Sequence, residues 1–197
     1  MLFRLEATQL LGGEVRRDGK SSLAHVILAG QGAEGANPKG VAAQTVLLTQ
    51  LGQSASVKFQ TTAGGDLGRT VSNKASASGF QTVYADAGLA GVYVVGESNN
   101  IREAVKSAAQ ALKTFKVGDI EVAKKKALNN ALRAKAHTDS RSIERATQVL
   151  TAGEGCYIKA ISEVKTSDVE AAAKKIVSKL SIASYGNVDN VPYLDEL

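Results

Sequence analysis

The sequence predicts an α+β domain: one sheet with helices packed on one face. Three observations carry this. Strand-like runs rich in β-branched and aromatic residues cluster early, at 23–29 and 80–95. Apolar residues at helical spacing dominate after residue 100. One late strand, at 181–185, returns after the helices. Strands clustered early and helices clustered late suggest this layered class. The 197 residues are 44% hydrophobic and 22% charged, ordinary usage for one folded domain.

The elements follow in order. Gly12-Gly13-Glu14-Val15-Arg16-Arg17 runs into Asp18-Gly19, a two-residue turn signal, so the first segment reads as a β-hairpin. Its second arm, Leu23 to Ala29, is a buried strand. Asn37 is a good N-cap, and Pro38 suits the first helical position. Val41, Thr45, Leu48 and Leu51 then line one helical face with Leu47 beside it, and Gly52 stops the helix. Residues 53–80 are small and polar and read as a long loop with a short helix at 66–76. The run 80–86 turns through 87–89 and returns as 90–95, a strand pair. Asn100 and Glu103 form a capping box ahead of an apolar stripe of Ile101, Ala104, Val105, Ala108, Leu112 and Phe115. A second helix spans 119–136 with Ile120, Ala127, Leu128, Ala131 and Leu132 as its face. A third covers 140–151, with Ile143, Ala146 and Leu150, and ends at Gly153. A fourth starts at Thr166 or Ser167 and presents Val169, Ala172, Ala173, Ile176 and Val177. No internal repeat is present.

Composition excludes several functions. The net charge of +5 comes mostly from Lys and Arg at helical spacing among acids and alanines. The densest run, Lys124-Lys125-Lys126, sits on a helix beside Glu121 and reads as a solvated face. There is no Trp, and the five Tyr and four Phe do not interleave with basic runs, so no nucleic-acid partner is expected. A single cysteine, Cys156, rules out an internal disulfide and a Cys-rich zinc site. Between apolar neighbours it reads as a small buried side chain rather than a nucleophile. No apolar run approaches the ~20 residues of a spanning helix. The N-terminus carries an acid at Glu6, which makes it a poor mitochondrial targeting segment. A mitochondrial protein with this sequence is expected to be a piece of a longer product.

Gly30-Gln31-Gly32-Ala33-Glu34-Gly35 matches the G-x-G-x-x-G dinucleotide fingerprint and follows a strand. The fingerprint needs a helix opening inside it and an acid about 20 residues on. Here the helix signals begin later, at Asn37-Pro38, and the next acid is Asp66. The expected role is a strand-to-helix loop, with nucleotide binding kept as an alternative. Gly64-Gly65-Asp66-Leu67-Gly68-Arg69 lacks the G-K-[ST] ending of a P-loop and reads as a surface loop. His25 lies mid-strand among aliphatics and is expected to be packed and hydrogen-bonded. His137 lies at a helix C-terminus, where the dipole favours a cation. Neither has a second His at the spacing of a helical zinc site.

Three blocks together resemble the C-terminal domain of the zinc-processing-peptidase family. The first is Gly12 to Arg16 followed by Ser22-Leu23-Ala24-His25-Val26. The second, and most specific, is Tyr84-Ala85-Asp86-Ala87-Gly88-Leu89-Ala90-Gly91-Val92-Tyr93, similar to the family's Y-x-D-x-G-L-x-G hairpin. The third runs from Ala171-Ala172-Ala173-Lys174-Lys175 through Gly186-Asn187 to Pro192-Tyr193-Leu194-Asp195-Glu196-Leu197. The glycine-dense loop of the family's substrate-binding α subunits is missing from 52–58, so the sequence looks more like the core-subunit branch of respiratory complex III. The resemblance implies a single domain over 1–197, with the N-terminal half of the usual two-domain protein absent. It implies a mixed, largely antiparallel sheet with helices on one face. Catalytic members hold zinc through H-x-x-E-H in the missing half. No catalytic, metal-binding or cofactor-binding residue is therefore implied here, and no cofactor. The implied role is structural, on the matrix side of the mitochondrial inner membrane. The implied partners are core protein 1, cytochrome b, cytochrome c1, the Rieske protein and the chain's own N-terminal domain. A substrate-binding or catalytic-partner subunit of the mitochondrial processing peptidase is the alternative.

Overall fold

The computed structural model describes residues 10–52, 65–71, 75–136, 142, 146, 149 and 157–197. Among the described residues, five strands form one sheet: β1 (Gly13–Asp18), β2 (Leu23–Gln31), β3 (Ala75–Val83), β4 (Gly88–Glu97) and β5 (Ser181–Gly186). The helices α1 (Pro38–Leu51), α2 (Asp66–Val71), α3 (Ser98–Lys113), α4 (Ile120–Ala136), α5 (Tyr157–Glu163) and α6 (Thr166–Val177) accompany it. The strand order is β1-β5-β2-β4-β3. Only the β1–β5 pair is parallel. The β5–β2, β2–β4 and β4–β3 pairs are antiparallel. The mixed, largely antiparallel α+β sheet is thus as expected.

The predicted β1–β2 hairpin is not. β5 lies between the two strands. The Asp18-Gly19 step does not fold the chain back on β1. Instead the Gly19 N–H donates to the Gly186 carbonyl at 3.0 Å, at the end of β5. The chain then steps past that end, and β2 pairs with the other edge of β5. A local turn signal yields to a strand contributed from the far end of the sequence.

Alternation decides which face is core. Ala24, Val26 and Leu28 of β2, Ala90, Val92 and Val94 of β4 and Ile182 of β5 are buried. In register they form rows on one face. Among the described residues, the main helix–sheet packing involves α1, α2, α3 and α6. α1 is the central helix. Asn37 caps it, its Oδ1 accepting from the Gly40 N–H at 2.9 Å, and Gly52 closes it in the left-handed region with φ 117°. Its burial runs nearly all round, from Ala42 to Leu48 and again at Leu51, so the predicted stripe was too narrow. Other helices surround it: α2, α4, α5 and α6 all touch α1.

The remaining differences are local. The short helix read at 66–76 ends at Val71, and β3 begins at Ala75, inside the stretch read as helix end and loop, because Ala77 and Gly79 alternate inward while pairing with β4. α3 begins at Ser98 with Glu97 as its N-cap, so the Asn100–Glu103 capping box does not form. Its predicted stripe from Ile101 to Leu112 is buried. Asp119 caps α4, its Oδ1 accepting from the N–H groups of Glu121 and Val122. The buried side of α4 is Ala123, Ala127 and Ala131, while Leu132 is 51% exposed. Small residues let this helix approach α1, and the larger leucine is turned away. α5 had no counterpart in the sequence reading. Ile143, Leu150, Gly153, His137 and Cys156 lie outside the described residues, and Ala146 is exposed. In α6, Asp168 Oδ2 accepts the Lys165 N–H at 3.0 Å, and Val169, Ala173 and Ile176 are buried.

Candidate interaction surface

The sheet face opposite the packed rows carries the candidate site. Register places Val15, Ala183, Ile27 and Tyr93 in one row across β1, β5, β2 and β4. The next row is Arg17, Tyr185, His25 and Val95. Exposure is graded along them. Val15 is 65% exposed, Tyr185 53% and Ile27 38%, whereas Val95, Ser76 and Ser78 toward β3 are buried. The β1–β5–β2 end thus leaves an apolar patch in solvent. Scattered exposed apolar residues are normal, but adjacent ones in register make a contiguous face of the kind used for association.

His25 sits at the centre of this face, half-buried, and its Nδ1 lies 2.6 Å from the Tyr93 hydroxyl. Its ring stacks on Tyr93 at 6.1 Å and tilts against Tyr185 at 6.4 Å. Burial raises the Tyr93 pKa, which keeps the phenol protonated. With the imidazole proton on Nε2, Tyr93 donates to Nδ1. The packed, hydrogen-bonded histidine expected from the strand context is what the structure shows. Among the described residues, no three His, Cys, Asp or Glu side chains gather where they could hold a metal ion.

The glycine fingerprint has a structural use. A Cβ at Gly30 would sit 1.7 Å from the Ile176 carbonyl oxygen, so only glycine lets β2 lie against α6. Four of the loop's N–H groups are already engaged. Gly32 donates to Gly88 O at 2.8 Å, Gly35 to Tyr84 O at 2.7 Å and Ala36 to Ala85 O at 3.2 Å. Ala33 donates to the Gln44 Oε1 at 2.7 Å. A phosphate cradle needs such groups free and converging on the ligand. Here they tie the loop to the β3–β4 turn, which is the Y-x-D-x-G block itself. In the other glycine cluster, Asp66 opens α2 and pairs with Arg69 at 3.5 Å, while Gly64 lies outside the described residues.

A second feature was not visible in the sequence. The Arg16 guanidinium donates to the carbonyls of Val191 at 2.6 Å and Pro192 at 2.8 Å, and lies 3.8 Å over the Tyr193 ring. Glu14 Oε2 accepts the Leu194 N–H at 3.0 Å. That bond, with Arg16 beside it, holds the Glu14 carboxyl below its ordinary range against a desolvation that raises it. No sequence pattern links residues so far apart in the chain.

Comparison with known proteins completes the picture. No family model matches the chain. It is 30% identical to cytochrome b-c1 complex subunit 2, mitochondrial, of Mus musculus, over 94% of this chain and 44% of that protein. It is 28% identical to mitochondrial-processing peptidase subunit alpha-2 of Dictyostelium discoideum, over 98% of this chain and 46% of that protein. By fold it matches a chain of complex III2 from Candida albicans with a TM-score of 0.78 at 18% identity, over 94% of this chain and 48% of that one. It also matches a peptidase M16 inactive domain from Pseudomonas fluorescens with a TM-score of 0.62 at 14% identity, over 92% of this chain and 45% of that one. The homologues are therefore b-c1 complex subunit 2 proteins and processing-peptidase α subunits. The chain spans less than half the length of the curated relatives it matches.

Proposed function

We propose that this chain is the C-terminal half of a non-catalytic core subunit that supports the assembly and stability of respiratory complex III. The observation that carries this reading is the match of 94% of the chain to b-c1 complex subunit 2. The fold match to a complex III chain supports it. So does the likeness to a domain described as inactive, which fits a chain without chemistry of its own. On this reading the site residues are packing residues. The protein lies on the matrix side of the mitochondrial inner membrane, held there by other subunits. No helix among the described residues is long and apolar enough to cross a membrane. Its partners are core protein 1, cytochrome b, cytochrome c1, the Rieske protein and its own N-terminal domain.

A substrate-binding or catalytic-partner subunit of the processing peptidase is the second reading, favoured by the match over 98% of the chain to an alpha-2 subunit. Native separation of gently solubilised mitochondria, followed by mass spectrometry, distinguishes the two. Co-migration with cytochrome b and the Rieske protein is the expected result. Recovery in a soluble fraction of heterodimer size would favour the peptidase.

A further inference from the structure

β1 is unlike the other strands. It contributes no buried residue, and its inward positions are Glu14, Arg16 and Asp18. Charged side chains pointing inward are a recognised way to blunt an edge strand. Here two of them do more, because they grip the segment 187–197. Arg16 binds three carbonyls there, of Val188, Val191 and Pro192, and Glu14 binds the Leu194 N–H.

The same segment is anchored at its other end to α3. Glu196 pairs with Arg102 and, at 3.2 Å, with Lys106. Lys113 donates to the Leu197 carbonyl. Asn187 and Asn190 bond Ser98 at the start of that helix, at 3.0 and 3.2 Å. Only Val191 and Pro192 of the segment are buried. β2 and β4, by contrast, each bury three or more core side chains.

We propose that β1 and residues 187–197 form one strap, fastened by charged and polar contacts, that opens as a unit while the rest of the core stays folded. Segments with few buried apolar contacts and solvent-facing hydrogen bonds are the ones that open sub-globally. β1 pairs with β5 alone among the described strands. Opening would leave the six-residue edge of β5 unpaired, the kind of edge that takes up an added strand.

Hydrogen exchange read by mass spectrometry on the full chain tests this. The informative variant is Glu196→Gln, since Glu196 forms no described hydrogen bond or ion pair with β1 and its charge meets Glu14 only as a repulsion, whose removal cannot by itself loosen β1. Exchange should rise roughly ten-fold both at 187–197 and at 13–18, with β4 unchanged. Arg16→Gln should produce the same pattern from the other side. A rise confined to 187–197 in Glu196→Gln would mean that the segment frays alone, and would overturn the proposal. A uniform rise that includes β4 would mean that no separate unit exists, and no rise at all would mean that the α3 anchor fastens nothing.

Discussion

Replacing Gln44 by alanine tests how the glycine-rich loop is held. Gln44 is buried on α1. Its Oε1 accepts the Ala33 N–H at 2.7 Å, and its Nε2 donates to Gln81 Oε1 at 2.9 Å. Gln81 in turn donates to Thr45 Oγ1 at 3.1 Å. Truncation removes the only described acceptor of the Ala33 N–H. A buried donor left without a partner costs about 1–3 kcal/mol. A cleft between α1 and α6 adjoins both Ala33 and Gln44, so water can reach the freed group, and the lower end, about 1 kcal/mol, applies. Loss of the buried Cγ methylene adds about 1 kcal/mol more. The sum is about 2 kcal/mol. With a urea m-value of about 2 kcal/mol/M, the unfolding midpoint should fall by about 1 M at constant m. Gln81 is part-exposed, so Gln81→Ala loses little burial, but it leaves the buried Gln44 Nε2 without its described acceptor and should cost about 1 kcal/mol, half as much. Equal effects of the two substitutions, or an unchanged midpoint in Gln44→Ala, would refute the assignment of Gln44 as the loop's anchor.

Three further outcomes follow from the structure. Gly30→Val places its branched side chain where the Ile176 carbonyl lies, so α6 must leave β2. The expected loss is at least 3 kcal/mol in chemical denaturation, and nucleotide titration of the unsubstituted chain should give no saturable binding. Glu14, Asp168 and Glu196 are each held below their ordinary values, chiefly by accepting a backbone N–H. The folded state therefore binds those protons later than the unfolded state. Stability should be level above the ordinary values of 4.5 and 3.8 and fall as pH drops through the folded ones. Thermal melts of Asp168→Asn across that range should show a shallower acid slope than the unsubstituted chain. Leu48→Ala, at a fully buried position on α1, should cost about 2–5 kcal/mol by urea denaturation, and a loss under 1 kcal/mol would contradict the central placement of that helix.

Legibility followed the range of the forces involved. β2, β4, α1, α3, α6 and β5 could be read because each carries its own periodicity or cap, as Asn37-Pro38 does for α1. β3 was half-read. Its first residues, Ala75-Ser76-Ala77-Ser78-Gly79, have little β-propensity and become a strand by pairing with β4. The β1–β2 hairpin failed because β5, from the far end of the chain, outcompetes a local turn. Of the face read for α4, packing kept Ala127 and Ala131, added Ala123 and left Leu132 exposed. Of the candidate residues, His25 was read as packed and hydrogen-bonded, and the G-x-G-x-x-G loop as a connection. Its bonding to the β3–β4 turn and the grip of Arg16 on the C-terminal segment depend on tertiary contacts that no spacing encodes.

The most direct test of the structural role is depletion of the gene product in its source organism, reading complex III abundance and presequence cleavage side by side. Loss of assembled complex III with normal cleavage of imported precursors is the predicted result. Accumulation of uncleaved precursors with complex III intact would contradict it and place the chain in the processing peptidase.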